Sequence, residues 1–193
     1  MTAFYFIRHG KPDMTEANTK IYQGMGFHMQ PLSAIGVEQA LETAKDRRLC
    51  NATLILTSAF GRALHTAAVL SKELQLPITV ETDLHEWCAD RDYVYLPDEE
   101  AVASFREMTK NKAVNPPDKK HNWESVNDMR QRVYGVLEKY SGLDAAIVVC
   151  HGCLMQYVLG MDHHPKNCEI VEFLYNNKTF ITERPRLKPL KRC

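Results

Sequence analysis

The chain reads as an α/β protein, with three layers in which a mainly parallel sheet is flanked by helices. Three observations predict this. Short apolar runs of strand length alternate with longer stretches of helical period. The runs are apolar throughout, as strands covered on both faces are, and do not alternate with polar residues. Polar turns follow several of these runs, and the residues best suited to chemistry collect there. Binding sites in such sheets lie beyond the carboxyl ends of the strands.

Phe4 to Ile7 is the first apolar run; it ends at Arg8 and is broken by Gly10 and Pro12. Lys11 to Pro31 is polar, carries Gly24 and Gly26, and is expected to be a long loop of the kind that often serves function. Ser33 is the predicted N-cap of a helix reaching about Arg48, with Val37, Ala40, Leu41 and Ala44 on its apolar face. Thr53 to Thr57 is the second strand. Gly61 marks the turn into a helix whose stripe is Ala63, Ala67, Leu70 and Leu74. After Pro77, Ile78 to Val80 is the third strand.

Residues 87–122 lack a clear period. A helix over Glu99 to Lys110 and an excursion around Pro116-Pro117 are expected, together forming a cap over the site. Trp123 to Tyr140 carries the stripe Val126, Met129, Val133, Val136, Leu137 and Tyr140 and predicts a long helix. Ala145 to Cys150 is the strongest strand, with a helix from about Cys153 to Leu159. Glu169 to Tyr175 and Lys178 to Glu183, joined at Asn176-Asn177, predict a β-hairpin. From Arg184 the tail reads as solvated.

A length of 193 residues suits one domain spanning 1–193. Apolar residues at 45% and charged residues at 25% are ordinary for a globular chain, which excludes disordered and fibrous classes. Lys+Arg and Asp+Glu both number 24, so no nucleic-acid footprint is present, and affinity for an anion must come from a local cluster of cations. Met1 to Ile7 has neither a basic leader region nor the length of a membrane span. The six cysteines follow no disulfide framework, so reduced thiols and a cytoplasmic setting are expected. The oligomeric state is left open.

Four segments at predicted strand ends converge on one chemistry: Arg8-His9-Gly10, Ser58 to Arg62, Leu84-His85-Glu86 and His151-Gly152. A phosphate monoester repels nucleophiles until its oxygens are screened by positive charge. Neutral imidazole is a nucleophile near neutral pH, which suits His9, with a nearby carbonyl fixing its tautomer. Gly10 allows a tight backbone turn. Arg8 and Arg62 offer planar cationic forks for phosphate oxygens, and Arg62 would sit at a helix start. His151 offers a third charge-assisted donor. Glu86 is the candidate acid for the leaving oxygen and then the base for water, with Asp83 next in line.

The segments FYFIRHG at Phe4–Gly10, QPLSAIGVEQA at Gln30–Ala40, LTSAFGRALHTA at Leu56–Ala67, LHEW at Leu84–Trp87 and VVCHGCLMQYVLG at Val148–Gly160 resemble, in order, the histidine phosphatase superfamily. The resemblance covers most of the chain and is closest to the short, phosphatase-type members. It implies a phosphoglycerate-mutase-like fold and metal-independent hydrolysis of a small phosphate monoester through a phosphohistidine on His9. It implies a phosphate pocket of Arg8, Arg62 and His151, lined also by Gly10, Ser58 and Gly152, with Glu86 as proton donor. Tyr22-Gln23-Gly24 is similar to the family's substrate-side loop. Lys11-Pro12 after the first motif, Met29-Gln30 before Pro31-Leu32, and Trp87-Cys88 after Glu86 depart from the usual pattern, which leaves the substrate open. No cofactor is expected, because arginine and histidine already supply positive charge. No membrane or nucleic-acid partner is expected either.

Three rival readings stand beside this one. Cys150 and Cys153 bracket His151, with His163, His164 and Cys168 downstream, and could suggest zinc or a redox pair. No second paired-ligand motif supports that, and core packing accounts for both thiols. A non-catalytic phosphate-ligand-binding module of the same fold would more often have lost one of the five site residues. A phosphoglycerate-type mutase would use the same phosphohistidine, but such mutases usually carry longer insertions.

Overall fold

The computed structural model describes residues 1–16, 24–94 and 96–176. Five strands form one sheet: β1 (Thr2–Arg8), β2 (Ile55–Thr57), β3 (Ile78–Val80), β4 (Ala145–Cys150) and β5 (Ile170–Tyr175). Their spatial order is β3-β2-β4-β1-β5, with the first four parallel and β5 antiparallel to β1. The helices are α1 (Ala34–Thr43), α2 (Gly61–Leu74), α3 (Asp98–Lys110), α4 (Val126–Lys139) and α5 (Gly152–Val158).

Side chains that alternate along each strand feed two cores. Phe4, Phe6, Leu56, Val148 and Cys150 face one side, with Leu84, Met108, Trp123, Met129, Leu137 and Leu154. Ile7, Ile55, Ile147 and Val149 face the other, with Leu49, Ala63, Ala67 and Leu70. Each fully buried side chain of this size contributes roughly 1.5–3 kcal/mol. Helices on both faces and a mainly parallel sheet are the α/β layering that the apolar runs predict.

Residues 170–175 pair with β1, with Ala3 opposite Leu174 and Ile7 opposite Ile170. The second arm of the expected hairpin, Lys178 to Glu183, lies outside the described residues. Side-chain fit supports the pairing of β5 with β1. Phe173 meets Phe6 edge-on at 6.0 Å, and Tyr175 meets Phe4 at 6.1 Å.

Helix ends follow their caps. Ser33 does cap α1, its Oγ accepting from Gly36 N–H at 3.2 Å. The helix stops at Thr43, short of Arg48, because Asp46 starts a separate 3-10 helix over Arg47–Asn51 and binds Arg48 through both carboxylate oxygens. The predicted start of α4 at Trp123 moves to Val126. Ser125 and Asp128 form a reciprocal capping box there. Trp123 is buried and donates its indole N–H to Glu107 at 2.8 Å. The stretch after Glu86 is tied to α4, since Trp87 donates to the Glu124 carbonyl at 2.9 Å and its ring meets Phe105. No described helix is long and apolar enough to cross a membrane.

Candidate active site

Strand register builds the centre of the site. Arg8 and Cys150 are partners at the ends of adjacent parallel strands, so the next residue of each, His9 and His151, must emerge side by side. Their ring centroids are 5.3 Å apart. On the other side of β4, Thr57 pairs with Val149, which places Ser58 so that its Oγ lies 2.8 Å from His151 Nε2.

His9 is held in one tautomer. Its Nδ1 lies 2.8 Å from the Gly10 carbonyl, an acceptor only, so the proton is on Nδ1. Nε2 then carries the lone pair, and it accepts from Arg62 Nε–H at 3.1 Å. Arg62 is the second residue of α2, and the approach of that helix depends on small residues. A Cβ on Gly61 would collide with the Met29 carbonyl, and one on Gly10 would sit 2.5 Å from the Gly36 carbonyl. The Gly10 N–H donates to Thr66 Oγ1 at 3.0 Å, which pins the turn after β1 to α2.

The loop between α5 and β5 orients the other side of the turn. Arg8 Nη1 donates to the Pro165 carbonyl at 2.6 Å, and Asn167 donates to the His9 carbonyl at 2.9 Å. Arg8 Nε is buried with no hydrogen-bond partner, as is His151 Nδ1. A Cβ on Gly152 would meet the tip of the exposed His164 ring, so the two positions pack closely.

Burial sets the charge state of the imidazoles. It pushes His9 down to about 3, and the Arg62 guanidinium adds to this. His28 falls to about 4 for the same two reasons in the same order. His151 is driven well below its usual range by burial and then by Arg62, and His85 is lowered by burial and then by Arg132. In the empty site, burial beside a guanidinium favours the neutral His151 ring.

Glu86 stands at the start of α5. Its Oε1 accepts from the Trp87 and Leu154 N–H groups at 2.9 and 3.0 Å, and Oε2 accepts from Cys153 N–H at 3.2 Å. Asp83 is exposed. Gly24 opens the 3-10 helix Gly24–Met29, while Tyr22 and Gln23 lie outside the described residues.

A profile of the histidine phosphatase superfamily (branch 1) matches residues 4–184. The chain belongs to that superfamily. Among its relatives in this family, "Uncharacterized phosphatase PhoE" of Bacillus subtilis is 29% identical over 195 residues, covering 97% of this chain and 93% of that protein. "Probable phosphoglycerate mutase GpmB" of Proteus mirabilis is 25% identical, over 94% of this chain and 88% of that one. A solved mycobacterial glucosyl-3-phosphoglycerate phosphatase, in complex with VO3, superposes with a TM-score of 0.64 at 21% identity, covering 89% of this chain and 90% of that chain. The fold is thus the phosphoglycerate-mutase-like one.

Two histidines near the family's motif residues were not singled out by the sequence. His85 is 7% exposed, with Nδ1 at 2.7 Å from the Glu86 carbonyl and Nε2 at 2.7 Å from Tyr93 Oη. His28 stacks on Phe60. Nothing in the spacing marks His28, and His85 lies within the Leu84–Trp87 segment with no role assigned to it, because the burial of both depends on segments that fold over the sheet. The thiols flanking His151 are both buried, and His163 is bonded to Asp162 and Glu169. Donor atoms close enough for a metal occur elsewhere among the described residues, at His85, Cys88 and Glu124. Arg132 takes both oxygens of Glu124 at 2.6 and 2.9 Å, and burial raises the Cys88 thiol to about 12. A cation there would have to displace a guanidinium and a proton.

Proposed function

We propose that this chain is a metal-independent phosphatase that hydrolyses a small phosphate monoester through a phosphohistidine on His9. The observation that carries this reading is the tautomer of His9, with Nδ1–H on the Gly10 carbonyl and the Nε2 lone pair facing Arg62. In the first step Nε2 forms a bond to phosphorus while the ester P–O bond breaks. The leaving oxygen takes a proton from Glu86. In the second step Glu86 removes a proton from water, which attacks phosphorus and releases His9 and inorganic phosphate. Arg8 and Arg62 carry the charge of the phosphoryl oxygens, and neutral His151 supports them from the next strand. Gly10, Ser58 and Gly152 shape the same pocket, and Tyr22, Gln23 and Gly24 belong to the substrate-side loop.

In this reading residues 1–193 are one domain and 87–122 form a cap. The contact of Tyr93 with His85 supports the cap. Phe27 and Tyr93 are exposed, whereas Trp87 is spent on packing against Phe105. The deciding experiment is rapid quench with a labelled phosphate ester under alkaline conditions. Acid-labile label on His9, absent in His9→Ala along with phosphate release, is the expected result. Wild-type turnover by His9→Ala would overturn the covalent route. Isomerisation of phosphoglycerate without phosphate release would identify a mutase instead. Activity lost to a chelator and restored by metal would overturn metal independence.

A further inference from the structure

His28 belongs to none of the motifs that point to phosphoryl transfer, yet its ring stands at the reacting centre. The 3-10 helix Gly24–Met29 carries it across the first turn of α2. Its ring stacks on Phe60 with centroids 4.0 Å apart and planes 17° apart, and Phe27 meets it edge-on at 5.7 Å. Phe60 is itself edge-on to His151 at 5.2 Å. The ring is therefore fixed by aromatic contacts that lead straight into the site.

Its Nδ1 lies 3.5 Å from Arg62 Nη1, while Nε–H of that same guanidinium donates to His9 Nε2 at 3.1 Å. One guanidinium is thus flanked by two imidazoles, the nucleophile and His28. An anion seated on the guanidinium between them comes within reach of both rings.

We propose that His28 is a further catalytic residue, closing the phosphoryl pocket opposite His9 and donating a hydrogen bond to a non-bridging oxygen of the transferring group. This rests on the phosphatase reading above. Imidazole suits both states of the site. In the empty site burial, Arg62 and His85 keep it neutral, and it serves as an acceptor beside Arg62. A dianionic phosphoryl group reverses the local charge and favours the protonated, donating ring. No bond to His28 forms or breaks. Its contribution is to hold charge on the oxygens while His9 bonds to phosphorus and the ester oxygen departs.

The test is calorimetric titration with orthovanadate of wild type, His28→Phe and His28→Gln. Phenylalanine keeps the stack on Phe60 and removes both nitrogens, and glutamine restores an N–H. Loss of one charge-assisted hydrogen bond corresponds to about ten- to a hundredfold weaker binding in His28→Phe, with part recovered in His28→Gln. For ester hydrolysis kcat should fall more than KM rises. A folded His28→Phe that binds vanadate as tightly as wild type overturns the proposal alone. Failure of wild type to bind vanadate overturns the phosphatase reading, and this proposal with it. If His28→Phe does not fold, the ring nitrogen resonances of His28 in wild type decide on addition of inorganic phosphate. A move to the doubly protonated position supports the contact, and unchanged resonances overturn it.

Discussion

At the scale of single residues, the site is a guanidinium surrounded by neutral rings and a carboxylate anchored to backbone amides. Glu86 spends three hydrogen bonds on Trp87, Cys153 and Leu154. Glu86→Gln turns one acceptor oxygen into a donor, so some loss will come from a loosened start of α5. That structural loss is the same for every substrate, whereas the loss of a proton donor is not. The variant should slow alkyl phosphates by about a hundredfold or more while leaving activated aryl phosphates much less affected. Comparing the two classes in one preparation checks this, and equal losses would move the acid role elsewhere. Of the residues around this centre, His9, Arg62, Glu86 and His151 were legible because each follows or precedes a recognisable strand or helix signal. His28 and His85 were not, since nothing local says that a loop histidine will be covered.

At the scale of elements, strands were the easiest features to read and helix ends the hardest. The apolar runs of β1, β2 and β4 announce themselves because both faces are buried. The pairing of β5 with β1 is not legible locally, because the partner strand lies at the other end of the chain. The start of α4 lies at Val126 rather than Trp123 because Ser125-x-x-Asp128 caps the helix there, while the apolar Trp123 packs into the core ahead of it. Ser125 Oγ makes two bonds, accepting from Asp128 N–H at 3.3 Å and donating to its carboxylate at 2.6 Å. Ser125→Ala should therefore cost about 1 kcal/mol of stability, read as a lower denaturant midpoint with unchanged slope. Because Glu124, beside it, holds Arg132, which donates to the His85 carbonyl, KM should rise in the same variant. An unchanged midpoint would mean the box adds nothing.

At the scale of the whole molecule, acid is the weak point. His9 and His28 titrate at about 3 and about 4 when folded, and His85 and His151 are also lowered. In the unfolded chain all four titrate at about 6.5. Below that value the unfolded state binds protons that the folded state refuses, so these groups favour folding fully above about pH 6.5 and progressively less down towards pH 3. Each contributes a slope of about 1.4 kcal/mol per pH unit at most within its window. Thermal melting in phosphate-free buffer should be flat between about pH 7 and about pH 8, below the range where unfolded thiols ionise, and fall steadily through the mildly acidic range, with a shallower fall for His9→Gln. A melting temperature that ignores pH in that range would show that the histidines are solvated.

The side-by-side ends of β1 and β4 have a consequence for how the protein acquires its activity. His9 and His151 come from near opposite ends of the chain, and a slip of one residue between the strands would turn one of them to the far face. Local helices such as α2 and α4 can form early, but the pairing of distant strands is slow. Helix is therefore expected to form ahead of activity in newly made or refolding chains. Stopped-flow recovery of the far-ultraviolet signal should run ahead of recovered phosphate release, and simultaneous recovery would mean that the long-range pairing leads.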